Sequence, residues 1–294
     1  MLYTMKELLD KASKDNYAVA APNVSSELDA RAALEVSEEL NSPVILDIAV
    51  VSTPDLVFAG RYISELCRMA RVPVALNLDH GSNFSHAILA IRGNFTSVMV
   101  DRSMLPYQEN VKQVKEVVRI AHSVGISVEA ELGHVGSGLD ESPSDGMLTD
   151  PLMAAKFIEE TGVDCLAIAI GTAHGTYKKA PKIDFDRLVK IKEACGKVPL
   201  VIHGSSGSGD ENIKKACRLG INKVNIANEL LQGACKRLLA ADLSGNGAYE
   251  IWNLAKEGYK ETLRSRMELY GCIGKAWTKE SAGIGSGTIT MSEV

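Results

Sequence analysis

Short apolar runs alternate with longer amphipathic stretches along most of the chain. Several runs are apolar at nearly every position, which is typical of strands buried on both faces of a parallel sheet. The runs fall at residues 18–21, 44–48, 74–78, 97–100, 128–132, 165–170, 200–203 and 223–226. Stretches with helical spacing of apolar residues fall at 26–40, 55–70, 84–91, 108–124, 151–161, 185–195, 210–218 and 228–240. Eight evenly spaced strand–helix units predict an α/β fold, a (β/α)8 TIM barrel, with a doubly wound sheet as the alternative.

Some segments lie outside this repeat. Residues 133–149 follow the fifth predicted strand, are rich in Gly, Ser and Asp, and are long for a loop between a strand and a helix. We expect these residues to form a mobile lid over the site, and the alternative is a disordered surface loop. Residues 248–270 predict a C-terminal helix added to the barrel. We therefore predict one barrel domain over 1–277 and a flexible tail over 278–294.

Composition and charge narrow the classes of function. The chain has 294 residues, 46% of them hydrophobic and 23% charged, with a formal net charge of −5. This balance argues against a nucleic-acid binder, which needs a basic face, but it allows a small cationic pocket for a phosphorylated metabolite. No apolar run approaches the roughly 20 residues that span a bilayer, and the N-terminus lacks a signal-peptide core. Six cysteines without a C-x-x-C pair indicate free thiols and a cytoplasmic protein.

Polar side chains stand at the ends of the predicted strands. In a (β/α)8 barrel the active site lies at the carboxyl ends of the strands. Groups that bind a metal or move a proton occur at or near all eight ends: Asn23, Asp47, Asp79 with His80, Asp101, Glu131, His174, His203 and Asn225. A single histidine at such an end is more often structural, but three histidines with acids beside them favour one shared metal ion.

The donor types indicate which metal and which ligand. Three histidines with carboxylates and no cysteine suit a catalytic Zn²⁺ with three protein ligands and one open position. Mn²⁺ or Co²⁺ accepts similar ligands, so another divalent metal is the alternative. A Gly/Ser loop at 203–209 follows the last of the three histidines and opens a helix. Loops at this place in such barrels often bind phosphate through backbone N–H groups, although the pattern alone also fits a plain turn.

Four motifs carry a resemblance to a known family. They are N-L-D-H-G at 77–81, V-E-A-E-L-G at 128–133, A-I-G-T-A-H-G-x-Y-K at 169–178 and H-G-x-S-G at 203–207. With them, the chain resembles the class II, zinc-dependent ketose-bisphosphate aldolases from about residue 3 to 276, and most of all the tagatose-bisphosphate aldolase branch, which includes fructose-bisphosphate aldolases. The resemblance implies a lyase that reversibly cleaves a phosphorylated ketose to dihydroxyacetone phosphate and an aldehyde through a zinc-stabilised enediolate.

The resemblance also implies roles for individual residues. His80, His174 and His203 match zinc ligands, and Asp79 matches the residue that exchanges a proton with the C4 hydroxyl or the aldehyde oxygen. Asp101 and Glu131 match an alternative metal position. Together with the strand-end residues, the expected substrate contacts are Asn23, Asp47, Gly175, Lys178, Gly204, Ser205, Ser206, Asn225, Asn228 and Arg264.

Two further partners follow from the resemblance. Backbone atoms near Gly175 and Gly204 match a site for a monovalent cation, Na⁺ or K⁺. Arg264 resembles an arginine that reaches a neighbouring subunit to hold the far phosphate of the substrate. That role requires an oligomer, and we expect a homodimer or a homotetramer.

Three positions depart from the family pattern. The glutamate expected in the lid is replaced by Leu139, and the neighbouring acids Asp140 and Glu141 are the candidates to move the proton at the enediolate carbon. Asn228 stands where a phosphate-binding threonine is expected, and an amide can still donate a hydrogen bond. Asp47 replaces a small or hydroxyl residue that faces the substrate, so it either accepts hydrogen bonds from substrate hydroxyls or binds a structural partner.

These departures leave other functions open. The first alternative is a homologue with weakened catalysis that acts as a sugar-phosphate-binding regulatory or partner subunit. The second is an aldolase for a non-standard ketose phosphate. The third is a metal-dependent hydrolase on the same barrel, which leaves the Gly/Ser loop unexplained.

Overall fold

Eight parallel strands close into a barrel in the computed structural model, which describes residues 1–136, 147–175 and 177–277. The strands are β1 Val19–Pro22, β2 Val44–Ala49, β3 Val74–Gly81, β4 Ser97–Val100, β5 Ser127–Leu132, β6 Cys165–Ile168, β7 Leu200–Ile202 and β8 Ile221–Ile226. Each strand pairs with its neighbours in sequence, and β8 pairs with β1 to close the sheet. The prediction of a (β/α)8 barrel is confirmed.

Helices alternate with the strands along the chain. They are α1 Met5–Asp15, α2 Glu27–Glu39, α3 Leu56–Met69, α4 Phe84–Arg92, α5 Tyr107–Ser123, α6 Pro151–Thr161, α7 Phe185–Cys195, α8 Asp210–Arg218, α9 Asn228–Leu239 and α10 Ile251–Tyr270. Ser26, Asp55, Asn83, Asp150 and Asp184 accept hydrogen bonds from the first turns of α2, α3, α4, α6 and α7. Such caps satisfy N–H groups that have no partner inside the helix, so these residues fix where the helices begin.

The first helix, α1, lies outside the predicted repeat and covers the amino-terminal end of the barrel. It packs against β1, β3, β5 and β8, and the N–H of Met5 donates to Ser97 Oγ at the first residue of β4 (2.9 Å). Thr4 and Glu7 form a capping box at its start, and Leu8 on its apolar face is fully buried. The capping residues and the apolar spacing are both visible in the sequence, so this helix could have been predicted.

The added C-terminal helix is confirmed as α10. It packs against α9 and α2, and Lys260 on α10 pairs with Glu35 on α2 (Nζ to Oε2, 2.9 Å). Among the described residues, no helix is long and apolar enough to cross a membrane.

The flanks of the predicted lid are described, but its centre is not. The N–H of His134 donates to the carbonyl of Met147, and the N–H of His174 donates to the carbonyl of Gly136, both at 2.8 Å. Residues 137–146 and the tail 278–294 lie outside the described residues. The mobile lid and the flexible tail therefore stay predictions.

Candidate active site

The third strand delivers two adjacent residues to one pocket. The pairing of β3 with β4 shifts between Leu78 and Gly81, so Asp79 and His80 together stand opposite one residue of β4. His80 has a left-handed backbone, with φ of 48°. Successive residues of a strand normally face opposite sides of the sheet, whereas a bulge redirects a side chain. Asp79 and His80 consequently line the same pocket.

Three histidines converge at this pocket. His80 lies near the end of β3, His174 follows β6 and His203 follows β7. The ring centroid of His80 is 5.0 Å from that of His174 and 4.7 Å from that of His203, and the other two centroids are 5.7 Å apart. One nitrogen from each ring lies within 4.8 Å of the others, which allows all three to bind one metal ion. The structure thus brings the three expected zinc ligands together.

Two carboxylates, one partly and one fully buried, determine which ring nitrogens face the centre. Asp101 Oδ2 lies 2.9 Å from His80 Nδ1, and Glu129 Oε1 lies 2.9 Å from His203 Nε2. A carboxylate accepts the ring N–H, so the other nitrogen of each ring carries the unshared electron pair. These two nitrogens, His80 Nε2 and His203 Nδ1, face each other at 3.1 Å. His174 Nε2 is buried and has no hydrogen-bond partner among the described residues.

The unshared electron pairs of the three ring nitrogens repel one another unless a cation lies between them. In the protein alone a proton supplies it: burial disfavours the charged ring, but Asp79 and Asp101 outweigh burial and raise the pKa of His80 to about 10. Burial, with the charge of the neighbouring histidines, lowers the pKa of His174 to about 3, so that ring stays neutral. A divalent ion would give all three nitrogens a partner in place of the proton. The donor set therefore fits zinc.

A second group of ligands lies beside the first. His80, Asp101 and Glu131 offer ligand atoms within 4.8 Å of one another. Glu131 Oε1 accepts from the N–H of Val135 (3.0 Å), while its Oε2 is buried without a partner among the described residues. Burial and the nearby charge of Asp101 raise the pKa of Glu131 to about 8. This grouping agrees with the alternative metal position expected for Asp101 and Glu131.

Asp79 is held by two amides next to the histidines. Asn23 Nδ2 donates to Asp79 Oδ2 (2.8 Å), and Asn225 Nδ2 donates to Oδ1 (3.1 Å). Burial opposes the charge of this carboxylate, but His80 and His203 outweigh burial and lower the pKa of Asp79 to about 2. Asp79 is therefore an ionised acceptor at the pocket wall, placed to take a proton from a bound hydroxyl.

The loops after β6, β7 and β8 form the opposite wall of the pocket. This wall contains Gly175, Gly204, Ser205, Ser206 and Asn228, and Asn225, near the end of β8, lies between it and Asp79. Helix α9 begins here, and its N-cap residue, Ala227, makes no side-chain capping hydrogen bond. Ser206 Oγ accepts from the N–H of Glu229 in the first turn (3.4 Å). A helix start presents N–H groups and a positive dipole end, which together favour a phosphate. Lys178 is exposed three residues beyond Gly175.

Tyr177 joins the two loops that carry His174 and His203, two of the expected zinc ligands. Its hydroxyl accepts from the N–H of Ala173 (2.6 Å) and donates to the carbonyl of Gly204 (2.7 Å). Ala173 precedes His174, and Gly204 follows His203. The sequence gives no direct signal for this contact beyond the nearness of Tyr177 to the motif.

Two charged residues inside the barrel lie outside the predicted site. Glu129 and Lys223 are fully buried and form an ion pair (Oε2 to Nζ, 2.7 Å). Side chains two positions apart on a strand face the same side. Glu129 precedes the expected ligand Glu131 by two, and Lys223 precedes Asn225 by two, so strand alternation could have found both.

The expected contact of Asp47 with substrate is corrected by the structure. Asp47 is fully buried and does not line the pocket, because its oxygens accept from Asn77 and Asn225 (both 2.9 Å). In the strand register Asp47 pairs with Asn77, whereas Ala49 pairs with Asp79. A strand rises about 3.3 Å per residue, so along β2 the Cα of Asp47 lies roughly 7 Å before that of Ala49, the residue paired with Asp79. Asp47 therefore binds structural partners, the second of the two roles considered for it from the sequence.

Three expected site residues are not brought to the pocket by the described structure. Asp140 and Glu141 lie outside the described residues, so their role stays a prediction. Arg264, on α10, donates from Nε to Glu39 of the same chain (3.1 Å). Its expected reach to a neighbouring subunit also stays a prediction.

Gly204→Ala is expected to lower the free energy of unfolding by about 3 kcal/mol. Gly204 has φ of +65°, and a Cβ there would collide with the peptide of Ala173, which precedes His174, an expected zinc ligand. The left-handed backbone costs a non-glycine residue about 1–2 kcal/mol, and relieving the collision by moving the backbone costs more. Denaturant-induced unfolding measures the loss.

Gly125→Ala is the matched control for this change. Gly125 has φ of +73° and open space around its Cα, so only the backbone term applies there. We expect a loss of about 1 kcal/mol. Equal losses in the two variants would contradict the collision at Gly204.

The fold and the site define a metal-dependent barrel enzyme. The family model for class-II fructose-bisphosphate aldolases matches residues 3–275. The chain belongs to this family and is an aldolase, a lyase that breaks a carbon–carbon bond. A fructose-bisphosphate aldolase of Thermus caldophilus is 39% identical to it, over 94% of this chain and 100% of the relative.

Solved structures of aldolases have the same fold as this chain. The YdjI aldolase of Escherichia coli K12 is 33% identical, with a TM-score of 0.85 over 94% of this chain and 100% of that one. A fructose-bisphosphate aldolase of Campylobacter jejuni, at 23% identity and a TM-score of 0.78, covers 93% of this chain and 97% of that one. The second likeness supports the fold alone. The predicted aldolase family is confirmed, and a preference for tagatose stays a prediction.

Proposed function

We propose that this chain binds zinc through His80, His174 and His203 and reversibly cleaves fructose or tagatose 1,6-bisphosphate to dihydroxyacetone phosphate and an aldehyde. The family acts on phosphorylated sugars. The observation that carries the proposal is the convergence of three unshared nitrogen pairs beside the ionised carboxylate of Asp79.

Asp79 has the central part in cleavage. When bound, zinc supplies a Lewis acid that favours negative charge on the substrate's carbonyl oxygen. Asp79 takes the proton of the C4 hydroxyl as the C3–C4 bond breaks, and the electron pair of that bond stays with the dihydroxyacetone phosphate half. The amides of Asn23 and Asn225 keep the carboxylate turned toward the pocket during this transfer. In the reverse direction Asp79 returns the proton to the aldehyde oxygen.

The phosphate of that half binds at the opposite wall. The start of α9 and the loop residues 204–206 offer N–H groups, and Asn228 is the first residue of that helix. Lys178 adds a positive charge. Backbone carbonyls near Gly175 and Gly204 bind the monovalent cation, Na⁺ or K⁺, and so reinforce this end of the pocket.

The remaining parts rest on residues away from the described pocket. Asp140 or Glu141 supplies the proton at C3. Arg264 from a neighbouring subunit holds the far phosphate, which requires its contact with Glu39 to open in a homodimer or homotetramer. All six cysteines are free thiols, which supports the expected cytoplasmic location.

A substrate panel tests the proposal. The purified chain, loaded with zinc, is assayed with fructose 1,6-bisphosphate, tagatose 1,6-bisphosphate and fructose 1-phosphate, with release of dihydroxyacetone phosphate as the readout. We expect cleavage of at least one bisphosphate, loss of cleavage after chelation, and recovery on addition of zinc.

The panel also separates the alternatives. Tight binding of a bisphosphate without cleavage would favour a regulatory subunit. Faster cleavage of the monophosphate would show that the far phosphate is not recognised. Full cleavage by protein that elemental analysis shows to be free of metal would overturn the mechanism.

A further inference from the structure

A cluster of buried charges lies beneath the pocket, and the mechanism above does not use it. Lys223 is fully buried between two carboxylates, with Nζ 2.7 Å from Glu129 Oε2 and 3.4 Å from Asp47 Oδ2. A buried carboxylate is tolerated when it is paired and hydrogen-bonded, and this lysine lies within ion-pair distance of both acids. The cluster reaches the pocket by two routes: through Glu129 to His203, and through Asp47 to Asn225.

The groups that contact the Asp47 carboxylate are hydrogen-bond donors. Asn77 donates to Asp47 Oδ1, Asn225 donates to Oδ2, and the ammonium group of Lys223 lies nearby. Burial raises the pKa of Asp47 to about 8 against the opposing charge of Lys223. Both of its oxygens nevertheless face donors, and an ionised carboxylate, which only accepts hydrogen bonds, is the form that fits these partners. Asp47 thereby offers Asn225 a fixed acceptor inside the barrel.

Both amide hydrogens of Asn225 are taken. Nδ2 donates one to Asp47 Oδ2 (2.9 Å) and the other to Asp79 Oδ1 (3.1 Å). An amide nitrogen has two hydrogens and its oxygen has none, so the two carboxylates together fix which way the amide is turned. The amide oxygen, Oδ1, is left without a partner among the described residues.

We propose that Asp47 is a positioning residue for the proton transfer. By accepting one N–H of Asn225, it holds the other N–H against Asp79 and keeps that carboxylate aimed at the substrate. Without Asp47 the amide can rotate, because one of its hydrogens has lost its partner. Asp79 then loses a fixed donor on one oxygen. The kinetic part of this inference rests on the proposed function.

The competing explanation is that Asp47 only balances the charge of Lys223. Geometry favours the positioning role. Lys223 lies closer to Glu129 than to Asp47, whereas both oxygens of Asp47 make short bonds to amides. The two explanations predict different results when the charge of Asp47 is removed but its hydrogen-bonding oxygen is kept.

Asp47→Asn and Asp47→Leu form the matched pair. Both remove the negative charge and keep a branched side chain of similar size, but only asparagine keeps an oxygen that can accept from Asn225. We expect Asp47→Leu to lower kcat by about 10- to 100-fold, as loss of a precise orientation does, with KM and zinc content nearly unchanged. Asp47→Asn should stay within a few-fold of the unaltered enzyme. If Asp47→Leu does not fold, Asp47→Ala replaces it.

Nuclear magnetic resonance gives a readout that does not depend on activity. In metal-free protein labelled with ¹⁵N-asparagine, the two side-chain amide protons of Asn225 should exchange slowly and resonate downfield, because both bind carboxylates. An Asn225→Ser sample assigns the pair. Asp47→Leu should shift one of the two protons and speed its exchange, whereas Asp47→Asn should leave both protected.

Each other outcome overturns the inference. Equal loss of kcat in both variants would mean that Asp47 acts through its charge, and an unchanged kcat in Asp47→Leu would mean that it does not position Asp79. A change in KM alone, or loss of zinc, would place the effect elsewhere in the pocket. If the unaltered enzyme cleaves no ketose bisphosphate, the proposed function fails, and protection of the Asn225 amide still tests the role of Asp47.

Discussion

Replacing His203 by alanine is expected to abolish zinc binding and ketose cleavage together. His203 is fully buried, and its Nε2 is bound to Glu129, so its Nδ1 faces His80 as a fixed ligand atom. Alanine removes that ligand and leaves Glu129 with only part of its hydrogen bonding. Losing an outer partner of a ligand already costs 10–100-fold in metal affinity, so losing the ligand itself should cost more than about 100-fold. Elemental analysis and a chelator competition measure the affinity, and the coupled cleavage assay measures activity.

His122→Ala is the matched control for this prediction. His122 binds Asp164 (2.8 Å) on the outside of the barrel, away from the pocket. We expect it to keep full zinc content and cleavage. His203→Ala protein that retains full activity after its metal has been stripped would refute the assignment of the ligand.

Asp79→Asn is expected to stop cleavage while zinc stays bound. Asparagine keeps the shape of the side chain, but its amide cannot accept the proton of the C4 hydroxyl. Removal of a positioned acid–base group lowers kcat by about 10²–10⁴-fold. His80 and its contact with Asp101 are not altered by the change, so zinc content should remain near that of the unaltered enzyme.

Proton exchange on dihydroxyacetone phosphate separates this role from the others. Dihydroxyacetone phosphate has no C4 hydroxyl, so exchange of its C3 proton with deuterated water does not need Asp79. We expect Asp79→Asn to keep that exchange while cleavage is lost. Parallel loss of both reactions would mean that Asp79 acts at C3 as well, and loss of zinc would mean that its charge is needed to hold the metal.

The barrel and the convergence of the three histidines could be predicted from the sequence for a physical reason. Buried parallel strands are continuously apolar, so the eight runs are easy to see, and closure brings their carboxyl ends to one rim. Residues far apart in sequence, such as His80, His174 and His203, then meet there. The boundaries of the eight helices in the repeat agree with the prediction to within one residue because polar caps and glycines mark many of them, whereas α10 begins three residues later than predicted.

Depth inside the barrel was harder to predict. The sequence predicts Asp47 at the rim because its apolar run looks complete at residue 48, yet β2 continues to Ala49, and the residue paired with Asp79 is that alanine. Glu129 and Lys223 lie inside the predicted runs at 128–132 and 223–226, but a prediction that considers only strand-end residues assigns no role to them. Strand alternation places both on the interior face, and their ion pair shows how the barrel accommodates the two charges.

The bulge at Asp79 and His80 sets a condition for anyone who transplants this site to another scaffold. Copying the two residue types onto a regular strand would turn one side chain into the pocket and the other toward the surrounding helices. The recipient strand must also carry the one-residue slip and a position that tolerates the left-handed backbone of His80. A graft that matches side chains but not this backbone would have either the ligand or the base, and not both.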